Sequence, residues 1–185
     1  MHTNVKSNWI GGDLVFYDKN GNEIARFDGT NRKLTVHASA VLDTQQVQRV
    51  TDVTITSAQV LALFATPIQL IAAPGANQAV IFEGAMVHKP AGTAYGGIAV
   101  GEDLAIKYTN ASGAELGQAE TTGFLDQTTE QTRYIRPHTA ASGVSQITPV
   151  ANAALVAHML VGEITTGNSN LIFRLFYRIV PTVLS

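Results

Sequence analysis

Apolar and polar residues alternate most clearly near the C-terminus, in residues 170–180. A β-strand places alternate side chains on opposite faces. The aromatic and β-branched content, together with Pro181 at the end, favours a strand over a helix. One predicted face is wholly apolar, and the other mixes apolar and charged residues. This pattern is typical of an antiparallel sheet that is covered on one side. The apolar face consists of Leu171, Phe173, Leu175, Tyr177 and Ile179, and the mixed face of Ile172, Arg174, Phe176, Arg178 and Val180.

Apolar segments separated by turn signals predict further strands upstream of this one. Ser57 is a suitable N-cap for a short helix over residues 57–64. Six to eight strands without a long helical pattern indicate an all-β, antiparallel β-sandwich or jelly-roll-like domain. The predicted strands are 53–56, 66–72, 79–88, 104–108, 132–136 and 153–162, with one more inside the 109–132 segment.

The N-terminal part has a different character. Asn20-Gly21 is a strong hairpin signal between strands at 14–18 and 23–28, and a third strand is predicted at 32–37. Such a small meander is marginal by itself in water. Residues 38–50 are small and polar and are interpreted as a linker, or as a short helix around 44–49. The sequence thus predicts an N-terminal β-hairpin arm with a linker in residues 1–50 and a β-sandwich in residues 51–185.

Charge supports this division and limits the choice of partners. The first 49 residues hold 11 of the 26 charged residues, and the chain carries a net charge of -2. This balance gives no electrostatic reason to expect nucleic acid or an anionic membrane as a partner. The N-terminus lacks the apolar region of a signal peptide, and no run reaches about 20 apolar residues. We therefore expect synthesis in a cytoplasm.

No arrangement of residues predicts catalysis. The chain has no cysteine, and no two of its five histidines have the spacing of metal ligands. Glu102 and Asp103 are adjacent, so on a strand they point to opposite faces. Glycines in the 92–97 segment indicate a flexible loop, and His88 and His158 are expected to be core or interface residues. We expect no enzyme activity, cofactor, metal or small-molecule substrate.

Two sets of residues are candidates for partner binding. Trp9, Ile10, Phe16 and Phe27 belong to an arm that cannot bury them, and tryptophan is a typical hot-spot residue at interfaces. The alternative for Trp9 and Ile10 is a disordered tail. In the last strand, Arg174, Phe176 and Arg178 share the mixed face. They form either a subunit interface or a solvated outer face.

Three stretches resemble known proteins. Residues 12–36, from Gly12-Asp-Leu-Val-Phe-Tyr to Leu34-Thr-Val, resemble short β modules near the N-termini of tailed-phage virion proteins. Residues 57–95, with Ala65-Thr-Pro-Ile-Gln-Leu-Ile, and the ending 165–180 resemble the β-sandwich domain of phage structural proteins, including capsid cement or decoration proteins. The resemblance implies a virion component on the capsid surface. It also implies a homotrimer that clamps neighbouring copies of the major capsid protein.

The expected function is therefore that of a non-enzymatic capsid cement protein. One alternative is a head-fibre, tail or receptor-binding component, which would have a shallow aromatic-lined pocket near Tyr95 or Tyr134. A less favoured alternative is a small sandwich hydrolase, which would have carboxylates or histidines converging in a cleft.

Overall fold

A computed structural model describes residues 6–36, 47–138 and 147–182. The chain divides into two compact units, residues 1–44 and 45–185. The described residues form twelve strands and one short helix. The all-β prediction is confirmed, and every strand pairing described below is antiparallel.

The first unit is a four-stranded meander. Its strands are β1 (Lys6–Ile10), β2 (Asp13–Tyr17), β3 (Glu23–Asp28) and β4 (Lys33–Val36), paired in that order. Trp9 and Ile10 thus lie in a strand, which the sequence analysis did not predict, because β1 contains only these two large apolar residues.

Aspartates close two of the turns in this meander. The Asp18 Oδ1 atom accepts hydrogen bonds from the amides of Asn20 and Asn22, both at 2.8 Å. Asp28 does the same for Thr30 and Asn31, at 2.9 and 2.8 Å. Such Asx turns replace backbone hydrogen bonds where the chain reverses. The side-chain amides of Asn22 and Asn31 contribute most to holding the pKa of each aspartate below its usual value.

The second unit contains eight strands in two four-stranded sheets. One sheet has the order β10-β7-β12-β5 and the other the order β6-β11-β8-β9. The strands are β5 (Arg49–Ile55), β6 (Ile68–Ile71), β7 (Gln78–Lys89), β8 (Asp103–Tyr108), β9 (Glu115–Glu120), β10 (Gln131–Ile135), β11 (Leu155–Met159) and β12 (Leu171–Pro181), with helix α1 (Ser57–Leu61) between β5 and β6.

The pairings in this unit are nested. The first strand pairs with the last, β5 with β12; next come β6 with β11, β7 with β10 and β8 with β9. Two further pairings join these strand pairs into sheets. The pairing of β12 with β7 joins the pairs β5–β12 and β7–β10, and the pairing of β11 with β8 joins the pairs β6–β11 and β8–β9. This strand order is the one expected of a jelly-roll-like arrangement, in which the antiparallel strands belong to two sheets.

Both sheets bury their inner faces in one core. Leu171, Phe173 and Leu175 of β12 are fully buried and belong to the same cluster as Leu104 and Leu155 of the other sheet. The predicted apolar face of the last strand is thus confirmed over these three residues. A β-bulge follows at Phe176 and Tyr177, opposite Gly84 and Phe82, and Tyr177 remains partly packed on the core.

The bounds of helix α1 and the start of strand β5 differ from the prediction. Helix α1 is one turn, residues 57–61, and Thr56 is its N-cap instead of Ser57, because Thr56 and Gln59 form a capping box. Strand β5 begins at Arg49, inside the predicted linker, because its pairing with β12 extends to Tyr177. Residues 37–46, which include the rest of that linker and part of the alternative helix, lie outside the described residues.

Candidate interaction surfaces

The charged residues in the described strands of the first sheet all lie on one of its two faces. Cross-strand partners share a face, so the register assigns each residue to one side. One side, here called the uncharged face, contains no charged residue among the described positions. Its members are Ser7, Trp9, Leu14, Phe16, Ala25, Phe27 and Leu34, whereas Lys6, Asp13, Glu23, Arg26, Asp28 and Lys33 lie on the other side.

Apolar side chains form a row across all four strands of the uncharged face. Trp9 pairs with Leu14, Leu14 with Phe27, and Phe27 with Leu34. The exposed fractions are 68% for Trp9, 41% for Phe27 and 60% for Leu34. Within the described part of this unit, only Val15 is a buried apolar residue, and it lies on the opposite face. The row is therefore an apolar surface that the described residues of this unit do not cover.

Ion pairs link charged side chains of two strands on the opposite face. Arg26 donates to Glu23 at 3.0 and 2.8 Å and to Asp13 at 3.1 Å. These hydrogen bonds, led by those to Glu23, raise the pKa of the guanidinium. Ile10 pairs with Asp13 and thus belongs to this charged side. Of the four predicted arm residues, Trp9, Phe16 and Phe27 come together on the uncharged face, and Ile10 does not.

A shallow trough crosses the outer face of the sheet β10-β7-β12-β5. It has two parts, of about 290 and 470 Å³, that share Asp52, Met86 and Arg174. Met86, Val50 and Tyr134 on this face are 43%, 55% and 54% exposed. We call this region the trough; His88, Thr132 and Ile172 line its first part, and Val50, Thr51 and Phe176 its second.

An ion pair lies at the centre of the trough. Arg174 donates through Nε and Nη2 to the two oxygens of Asp52, at 2.8 and 2.7 Å. The hydrogen bond from Arg174 is the main reason why the pKa of Asp52 lies below its usual value. Both side chains are about half exposed, so the pair itself contributes little to stability.

Arg178 forms a similar pair outside the trough. It contacts Glu83 at 2.5 Å, and the amide of Gln48 donates to the same carboxylate at 2.9 Å. The structure thus places the predicted residues Arg174, Phe176 and Arg178 on one outer face. Their role as a subunit interface stays a prediction.

Tyr134 lies flat against the sheet beside the trough. It pairs with Met86 across β10 and β7, and its hydroxyl end covers Gly84 so closely that a Cβ at Gly84 would overlap it. Phe176 lies opposite Gly84 on the other side. The missing side chain at Gly84 therefore lets an aromatic ring rest on the backbone of β7.

Two buried charged groups of this unit, Glu102 and Lys89, have structural partners. The Glu102 carboxylate accepts hydrogen bonds from the amides of Val161 and Gly162, at 3.0 and 2.7 Å, and thereby joins the start of β8 to the segment after β11. The Lys89 ammonium donates to the carbonyl of Gln127 at 2.6 Å, and burial lowers its pKa. Neither group lines the trough.

The two histidines that were expected in a core or an interface differ in environment. His158 is buried, with Nε2 3.1 Å from the carbonyl of Phe64 and its ring stacked on that phenylalanine. Burial is the main cause of its lowered pKa. His88 lines the trough, with Nδ1 3.2 Å from the Thr132 hydroxyl. Among the described residues, no three His, Asp or Glu side chains are placed to hold a metal ion.

The glycine-rich loop before β8 is tightly packed, which corrects the expectation of flexibility. Tyr95 is buried and donates to the carbonyl of Ser169. Gly167 touches the ring of Tyr95 so closely that a Cβ would overlap it. The amide of Thr93 donates to the side chain of Asn168 at 2.8 Å. These glycines allow two loops to approach, and Tyr95 is not available to line a pocket.

Sequence reasoning missed several surface residues. Leu34 was not singled out because a single leucine in a polar segment gives no signal. Asp52 and Met86 become neighbours of Arg174 only through strand pairing. The cross-strand register was the missing information in each case.

Comparisons with known proteins give little further information. No family model matches the chain, and no curated protein matches it. A solved structure described as the capsid of Ralstonia phage GP4 has a chain that is 12% identical, with a TM-score of 0.42 over 77% of this chain and 90% of that one. A likeness this low carries no argument about function. In the part of the chain that the structure describes, no helix is long and apolar enough to cross a membrane.

Proposed function

We propose that this protein is a structural component of a tailed-phage virion and acts as a capsid cement protein. The observation that carries the proposal is the uncharged face of the first sheet. A four-stranded sheet with one buried apolar residue and an exposed row of Trp9, Phe27 and Leu34 has no adequate core of its own. Such a sheet gains stability when its apolar face is buried against another protein.

The proposed partner is the major capsid protein, at the outer surface of the shell. This choice rests on the resemblance of residues 12–36, 57–95 and 165–180 to phage virion proteins. The proposed structural role requires no catalytic residue, cofactor, metal or small-molecule substrate.

Four strands at a spacing of about 4.8 Å and about five residues in length give a face of roughly 300 Å². A stable contact buries at least about 1,000 Å² in total. The uncharged face is therefore too small to act alone as a stable contact. We propose that residues beside it, and the neighbouring copies in a homotrimer, contribute the rest of the attachment.

Paired variants of the full chain test the role of the uncharged face. Trp9→Ser and Leu34→Ser replace exposed apolar groups, whereas Asn8→Ser and Thr35→Ser alter their neighbours on the opposite face of the same strands. Each protein is added to particles stripped of this component and then sedimented. We expect Trp9→Ser with Leu34→Ser to lower the binding constant by at least about tenfold, which corresponds to about 1.4 kcal/mol.

The control variants should bind as well as the unchanged protein. Circular dichroism of all variants checks that the sheet is intact. Equal co-sedimentation of the apolar-face variant and the controls would contradict the proposal, as would labelling of the protein at the tail of intact particles.

A head-fibre or receptor-binding component is the second candidate. The observation that favours it is the trough beside Tyr134, which is exposed on β10. The pocket expected near Tyr95 is absent from the described residues, since Tyr95 is buried. A location on the tail or at fibre tips, shown by labelling, would favour this candidate over cement.

A further inference from the structure

We propose that the trough on the sheet β10-β7-β12-β5 binds a neutral oligosaccharide. The inference does not depend on where the protein is located in a particle. It assigns Arg174 and Phe176 to a ligand site instead of a subunit contact. The argument rests on the shape of the trough, on its charge balance and on the hydrogen-bonding groups that remain available in it.

The trough has the dimensions of an extended ligand. Its two parts join at Asp52, Met86 and Arg174, and it runs along β12 from Ile172 to Phe176. Four residues of a strand span about 13 Å. This length suits a short chain of sugar rings lying along the sheet. The lining residues belong to all four strands of the sheet, and a site on strands is held more precisely than a site on loops.

The charges of the trough favour a ligand without net charge. Asp52 and Arg174 neutralise each other through two hydrogen bonds. The nearby pair of Arg178 and Glu83 is also balanced. An anionic ligand would have to displace Asp52 from Arg174, and a cationic one would have to displace Arg174 from Asp52. A neutral ligand leaves both pairs intact.

The central pair can bind a ligand that carries both donors and acceptors. Asp52 occupies Nε and Nη2 of Arg174, while Nη1 has no partner among the described residues. Each carboxylate oxygen can also accept more than one hydrogen bond. Two adjacent sugar hydroxyls can therefore donate to Asp52 and accept from Nη1 together. His88 and Thr132 provide further polar groups at one end.

Apolar groups of the trough suit the carbon-rich faces of sugar rings. Met86 is 43% exposed and Tyr134 beside it is 54% exposed, with its ring held against the backbone at Gly84. Phe176 lines the other end of the trough. A fixed aromatic ring provides contact area at a low cost in conformational entropy. A hydroxyl-rich ligand with apolar ring faces matches both kinds of group.

Saturation-transfer difference NMR on the full chain tests the proposal. The probes are three neutral hexasaccharides, namely maltohexaose, cellohexaose and chitohexaose, and a heparin hexasaccharide represents anionic ligands. We expect at least one neutral probe to give a saturable signal with a dissociation constant of about 1 mM. Arg174→Gln, Asp52→Ala and Tyr134→Ala should each weaken this binding by about tenfold or more.

Arg178→Gln is the matched control, because it breaks a similar ion pair on the same strand outside the trough. It should change the affinity by less than about twofold. Melting temperatures check that the variants are folded. The proposal is overturned if no neutral probe gives a saturable signal, which is also the outcome expected of a protein contact. Preferential binding of the heparin probe, or equal loss of binding in Arg178→Gln, overturns it as well.

Discussion

At the scale of single residues, the β8–β9 hairpin carries two carboxyl groups whose charged form is destabilised by burial. Asp103 has a buried Oδ1 that accepts no hydrogen bond from the described residues. The Oε1 atom of Glu115 also accepts none, although it lies 3.9 Å from Nδ1 of His138. Burial is the main cause of the raised pKa of Asp103, and the charges of Glu120 and Glu102 add to it. Burial also raises the pKa of Glu115. Charged carboxylates here lower the free energy of unfolding.

Asp103→Asn should therefore stabilise the protein at neutral pH. The Oδ2 atom of Asp103 accepts a hydrogen bond from Gln118 at 2.6 Å, and an asparagine oxygen can accept the same bond. We expect a gain of about 1 kcal/mol, because the uncharged amide avoids the desolvation of a buried charge and its repulsion by Glu120 and Glu102. Urea unfolding of both proteins at a series of pH values measures it.

The sign of the pH dependence is fixed by the raised pKa of Asp103. The folded state binds this proton more tightly than the unfolded state, so the penalty is present above the folded pKa. It disappears as the pH falls through the folded pKa towards the unfolded value. The advantage of Asp103→Asn should thus be largest near pH 7 and absent near pH 3. An advantage that grows as the pH falls would contradict this explanation.

At the scale of elements, two loops of the second unit pack closely against each other. The loop before β8 and the segment before β12 meet through Tyr95, Gly167 and Ser169. Gly167 also has a φ of 118°, in a region that other residues rarely adopt. Both the close approach and the backbone conformation require glycine at this position.

Gly167→Ala should lower the free energy of unfolding by about 2 kcal/mol or more, because the new methyl group overlaps a buried ring and the backbone is strained. Gly162→Ala is the matched control in the same connection, since no atom lies within 4 Å of the added Cβ there. Thermal unfolding of both variants measures the difference. Equal melting temperatures would contradict this prediction and would show that the loop is flexible enough to accommodate the added methyl group.

At the scale of the whole molecule, the two units differ in how they are stabilised. Among the described residues, the core cluster of the second unit consists of side chains of that unit, including Phe173, Leu104 and Leu155. The first sheet has Val15 as its buried apolar residue within the described part. The second unit should accordingly fold without the first, and the first should depend on contacts made after assembly.

Deleting residues 1–37 tests this difference. We expect the shortened chain to unfold cooperatively at nearly the same temperature as the second unit of the full chain, because the core is unchanged. Light scattering should show a homotrimer for the full chain and a smaller species for the shortened one. Loss of folding on deletion, or a full chain that is monomeric at micromolar concentration, would contradict the proposed organisation.

The sequence by itself determined the features that depend on neighbouring residues. Asn20-Gly21 and the aspartates around it specified a turn, since Asx turns use side chains two to four positions away. The alternation in β12 predicted its buried face, and Leu171, Phe173 and Leu175 are indeed fully buried, whereas Tyr177 and Ile179 of the same predicted face are partly buried. The all-β class followed from many short segments of this kind.

Only the tertiary structure decided which strands meet and what their outer faces present. Arg174 and Asp52 are 122 positions apart and become partners through the pairing of β12 with β5. The uncharged face likewise required the register of four strands, which places Leu34 beside Phe27. Backbone hydrogen bonds between strands are nearly the same for any sequence. The choice of partner strand therefore depends on packing of the whole core, and no local pattern contains that information.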